Sequence, residues 1–218
     1  MHDAVMAALV EHIEQAPQWD APPELFMVYV LGRQVTLSPM PLPPGAWCAF
    51  ESPAMALESL ADALSGQHGA LMVPPGPNGS LHAVAFVHEA FWVDVDTSDP
   101  HEARRVQALV DRGRLRDHPA AKDIRFAVAV DRDGVTYNAR HVRGAIGTER
   151  DVQLPGGGAD AQASGIAIEA LDRLVETFTG AKPQQRPASW LVPPAEMNLT
   201  SQPRERNQST DDRQPQAA

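Results

Sequence analysis

Residues 124–142 constrain the fold of this chain more tightly than any other stretch. Ile124, Phe126, Val128 and Val130 alternate with Arg125, Ala127, Ala129 and Asp131. Asp131-Arg132-Asp133-Gly134 then supplies turn formers, with a glycine placed for positive φ. Val135, Tyr137 and Ala139 resume the period of two. This spacing predicts paired antiparallel strands with one face on a core.

The flanking sequence supplies helices and further strands. Val5, Leu9 and Ile13, with Met6 and Val10 beside them, form the buried stripe of a helix over 2–16 that Pro17 ends. Residues 25–31 and 34–37 read as a hairpin around Gly32, and Pro39, Pro41, Pro43 and Pro44 force an extended connector. Ser52-Pro53 opens a second helix, with a hydroxyl for the N-cap and proline in the first turn. Residues 81–87 and 91–95 form either one long strand or a hairpin about His88-Glu89. Asp99-Pro100 opens a third helix carrying Val106, Leu109 and Val110. A glycine-rich hinge over 154–160 leads into a last helix over 161–178. The sum is an α+β fold with a mainly antiparallel sheet and about four helices, as a single domain over 1–181. Residues 182–218, rich in Pro, Gln, Ser and Arg, bury too little apolar surface to offset ordering entropy and are expected to be a disordered tail.

Charge and cysteine usage narrow the function classes. The chain of 218 residues carries a formal charge of −10. Residues 182–218 hold five basic and four acidic side chains, so the body carries the acidity. Such a body repels phosphate backbones, and nucleic acid is an unfavourable partner. Lys122 and Lys182 are the only lysines, an arginine bias that points to a high-GC genome. Cys48 is the only cysteine, which excludes an intrachain disulfide and a cysteine-built zinc site. It follows Trp47 in an apolar setting, which predicts a buried, inert thiol. No secretory leader and no apolar run long enough to span a bilayer is present, so a cytoplasmic protein without membrane contact is expected.

Three constellations invite a chemical reading. His82, His88, Asp94 and Asp96 would share one face if 81–96 were a single strand, and imidazole with carboxylate suits a transition metal. The helical metalloprotease spacing is not met, because Trp92 and Arg105 stand where the second histidine belongs. Solvent-facing polar residues are the plainer reading, and neither a metal nor another cofactor is expected. Arg125, Arg140, His141 and Arg143 form the one local cationic cluster, a candidate anion contact. In the tail, Trp190, Leu191 and Val192 stand between prolines as a candidate partner-binding segment. Gly156-Gly157-Gly158 lacks the Lys-Ser/Thr of a phosphate loop, and no Gly-x-Ser-x-Gly elbow is present.

The succession Ala83-Val84-Ala85-Phe86-Val87-His88-Glu89-Ala90-Phe91-Trp92, a charged helix, then residues 126–131, Gly134 and a return strand is suggestive as a whole. It resembles small uncharacterised proteins of high-GC bacteria and their phages. Those carry a strand ending in Glu-Ala-Trp or Glu-Gly-Trp and a later Arg-Asp-Gly hairpin; here Phe91 intervenes before Trp92. The resemblance implies no established activity, so it assigns no site residues. The expectation is a non-catalytic phage or mobile-element accessory protein that acts by protein–protein contact through a sheet edge or the tail. The alternative is a small enzyme or ligand-binding domain using the His82/His88/Asp94/Asp96 face.

Overall fold

The computed structural model describes residues 1–42, 45–65, 79–95, 99–154 and 166–180. Within them the order is α1 (His2–Gln15), β1 (Glu24–Leu31), β2 (Gln34–Pro39), α2 (Pro53–Ser65), β3 (Ser80–Trp92), α3 (Pro100–Val110), β4 (Lys122–Asp131), β5 (Thr136–Val142), β6 (Glu149–Gln153) and α4 (Ile166–Thr179). The six strands form one sheet in the order β2-β1-β3-β4-β5-β6, every neighbouring pair antiparallel. The α+β architecture with four helices is therefore as expected. The tail with Trp190, Leu191 and Val192, and Gly156-Gly157-Gly158, lie outside the described residues.

Local signals act as their chemistry requires. Ser52 Oγ accepts from Met55 N–H at the start of α2. Asp99 caps α3 by accepting from His101 and Glu102 N–H, with Pro100 in the first turn. In the hairpin after β4, Gly134 takes φ +80°. Asp131 N–H donates to Val135 O, and Asp131 Oδ1 accepts from Asp133 and Val135 N–H. One carboxylate thus satisfies the turn's inner donors.

The expectation of a sheet with a single buried face is wrong. One face packs under α2 and α4, where Leu25, Tyr29, Val84, Phe86, Val128 and Val130 meet Leu57, Leu171, Leu174 and Val175. The other packs under α1, where Phe26, Val28, Ala83, Ala85, Ala127, Ala129 and Tyr137 meet Val5, Leu9 and Ile13. The alanines that read as the open half of an alternating strand are a second core. Their small size lets α1 lie close to the sheet. Residues 149–153, to which the sequence assigns no element, form β6 and pair with β5. Two further expectations change. Cys48 is exposed, because the 3-10 turn Ala46–Ala49 directs Trp47 onto Phe86 instead, with ring centroids 5.4 Å apart. Of the apolar positions of α3, only Val106 is buried. Among the described residues, no helix is long and apolar enough to cross a membrane.

Candidate functional site

The metal-face hypothesis depends on where β3 points its polar residues. β3 is one strand, not a hairpin, but it does not keep a constant alternation. Tyr29 pairs with Leu81 while Val28 pairs with Ala83, so His82 is the extra residue of a β-bulge. The bulge turns His82 toward α1, where it meets Asp131. His88 stays on the opposite face, its ring stacked on Phe86 at 4.9 Å and edge-on to Phe126 at 5.9 Å. Asp94 lies past the strand end, accepting from Trp92 Nε1 and Lys122 Nζ at 2.8 and 2.6 Å. Those two donors hold its carboxyl below the usual carboxylate range. Asp96 lies outside the described residues. The two histidines therefore stand on opposite sides of the sheet, and no metal-competent group of three or more His, Cys, Asp or Glu side chains occurs among the described residues.

A polar chain runs beneath the first turn of α1 instead. Tyr137 Oη donates to Asp131 Oδ2 at 2.8 Å, and His2 Nδ1 lies 2.7 Å from the same hydroxyl. A phenol has one proton, so with it given to Asp131 the His2 ring must donate from Nδ1. His82 Nε2 stands 3.5 Å from Asp131 Oδ2, buried and without a hydrogen bond. Burial pushes the Tyr137 phenol well above its ordinary value, and its bond to Asp131 adds to this. Burial lowers the pKa of His82, an effect that the Asp131 carboxylate partly offsets. Asp131 and Tyr137 are each 0% exposed. The polar chain therefore anchors α1 to the β4–β5 turn. His2 and Tyr137 carry no sequence signal, because their meeting depends on where α1 docks.

Three of the four cationic residues, Arg125, His141 and Arg143, gather at Trp19, and Arg140 lies on the other face of the sheet. Arg125 is 3% exposed. It donates to Glu89 Oε1 at 2.7 Å, to Ile13 O at 3.1 Å, to Ala16 O at 3.2 Å and to Gln18 O. Its guanidinium carbon lies 4.7 Å from the Trp19 ring centroid. Arg125 thus caps the C-terminal end of α1, where unpaired carbonyls carry partial negative charge. Arg143 pairs with Asp123 at 3.2 Å, and His141 stacks on Trp19 while its Nδ1 faces Gly147 O. Arg140 sits on the opposite face, paired with Glu149 and 4.2 Å over the Trp92 ring. The four residues do not converge on one anion. His118 forms a similar internal tie, with Nε2 2.9 Å from Glu102 Oε1 and Nδ1 accepting from Ala120 N–H.

The last polar feature is the backbone of the sheet edges. Met40 N–H donates to Leu25 O, which extends the β1–β2 register by one pair. In an antiparallel ladder, hydrogen-bonded pairs alternate, so the even-numbered residues of β2 bond to β1. The N–H and C=O groups of Val35 and Leu37 then point away from the sheet, as does Pro39, which has no N–H to leave unpaired. No described strand pairs with that side of β2. From Gln34 to Pro39 the strand carries no charge, whereas the other edge, β6, carries Glu149, Arg150 and Asp151. No family model, curated protein or solved structure matches this chain.

The buried imidazole of His82 and the half-buried one of His88 make stability depend on pH. His82 and His88 both have pKa values lowered below the ordinary 6.5, His88 through burial. The folded state favours their neutral forms, whereas the unfolded chain takes up protons as pH falls through 6.5. Stability is therefore complete above that value and declines as pH drops toward the folded-state pKa. Melting temperature should fall between about pH 7 and pH 5. His88→Phe, which suits the stack on Phe86 and Phe126, should make that fall shallower. An identical slope in the variant would remove His88 as a cause.

Proposed function

We propose that this protein is a non-catalytic, cytoplasmic interaction protein that binds an extended segment of a protein partner along the outer edge of β2. The observation that carries this reading is the contrast between the two sheet edges. Natural sheets blunt exposed edges with charge, as β6 does with Glu149, Arg150 and Asp151. β2 instead offers Val35 and Thr36, which favour strands, and the apolar Leu37, with outward backbone donors and acceptors and no charge. Strand addition uses such groups: main-chain hydrogen bonds give affinity, and alternate side chains give selectivity. The internal ties of Arg125, Arg140 and His118 support the same reading, because they give these side chains roles in holding the fold.

The test incorporates a photo-cross-linking phenylalanine analogue at position 36 of the full-length chain in the cells that express it. Thr36 is half-buried at the edge, so the probe sits beside any added strand. Irradiation-dependent adducts of defined mass are expected. An absence of adducts would reject the reading.

A further inference from the structure

We infer that the segment added to β2 is β2 of a second copy of this chain, so that two molecules join edge to edge in one continuous sheet. The inference rests on the edge-binding reading above and names its partner. Two features of the edge select a second copy.

The first is register. The outward groups of β2 belong to Val35 and Leu37, two residues apart. A two-fold axis passing at Thr36 sets Val35 of each copy opposite Leu37 of the other. Both residues then exchange N–H and C=O bonds across the junction. Thr36 faces Thr36 as a non-hydrogen-bonded pair, a favourable cross-strand match. On the α1 side, Val35 packs against Leu37 of the other copy, and both already border the second core. Pro39 falls opposite Arg33, beyond the last shared bond, so its missing N–H leaves no partner unsatisfied.

The second feature is charge. A chain of formal charge −10 approaches its own copy most readily where it presents no carboxylate. Gln34–Pro39 is such a strip, and the residue before it is Arg33. Self-pairing of β6 would instead crowd Glu149 and Asp151 of both copies.

The experiment uses the full chain in three forms, with mass measured by light scattering after gel filtration. The wild type is expected at twice the chain mass. Thr36→Lys sets two ammonium groups face to face and should shift the protein to the monomer at the same concentration. Its melting temperature should stay near that of the dissociated wild type, because the Thr36 backbone bonds run to β1. In the third form, Cys48→Ser removes the native thiol and Thr36→Cys places two thiols across the axis. Cα atoms of such a pair lie about 4.5 Å apart, within disulfide range. Mild oxidation should link two chains, whereas Leu37→Cys in the same background should link poorly. A monomeric wild type overturns the inference. If the position-36 probe then captures a different protein or another part of the same chain, edge binding survives and only its partner is wrong. A dimer that persists in Thr36→Lys and gives no Thr36→Cys link lies elsewhere and also overturns it.

Discussion

Gly79→Ala is expected to destabilise the fold by about 3 kcal/mol, the largest effect of any single methyl group added here. Gly79 precedes β3 at φ +101°, and an added Cβ would lie 2.1 Å from the carbonyl oxygen of Val30 and 2.5 Å from its carbon. Both atoms are backbone, so no side-chain rotation relieves the contact. Val30 pairs with Ser80, and the β1–β3 ladder must open at that end to admit the methyl group. The left-handed conformation accounts for about 1–2 kcal/mol of that total for an L-residue. For a chain of this length the sum corresponds to about 6–12 °C in melting temperature. Gly32 provides the control. It also has positive φ, +63°, but nothing lies within 4 Å of its added Cβ. Gly32→Ala should therefore cost about 1 kcal/mol. Equal losses in the two variants would show that the Val30 contact contributes nothing.

Arg125→Ala is expected to cost about 3–5 kcal/mol, the range for breaking a buried ion pair by removing one partner. The guanidinium joins elements far apart in sequence: the Ile13, Ala16 and Gln18 carbonyls after and within α1, and the Glu89 carboxylate on β3. Its loss leaves Glu89 without its cation in a site where that side chain is 18% exposed. It also removes the cation over Trp19. Arg125→Lys tests the geometry apart from the charge. An ammonium is a point donor and lacks the planar fork that reaches carboxylate and carbonyls together. Lysine should recover less than half of the loss in urea unfolding. Full recovery would mean that charge alone suffices and that the fork is irrelevant.

The parts of this fold legible in the sequence are those governed by neighbours along the chain. Ser52-Pro53 and Asp99-Pro100 start helices because each cap is satisfied within a few residues. Asp131 and Gly134 shape their turn for the same reason. What was not legible depends on pairing between distant segments. The bulge that turns His82 away from His88 is a property of the β1–β3 register, and no spacing within 81–96 encodes it. Arg125 reads as an exposed cation on a strand until the end of α1 is laid against it. β6 has the composition of a loop and becomes a strand only because β5 offers an edge. His82 and His88 share a face only under unbroken alternation, which the bulge interrupts. The open edge of β2 was legible only as a hairpin, because which of its backbone groups face outward follows from the pairing with β1.

The proposed contact lies at β2 and not at the charged edge. The most direct measurement moves the photo-cross-linking residue from position 36 to position 151 on β6 and compares adduct yields from the two full-length chains at equal expression. Strong, discrete adducts are expected from position 36 and background from position 151. Comparable yields from both positions, or adducts from position 151 alone, would contradict the proposed contact.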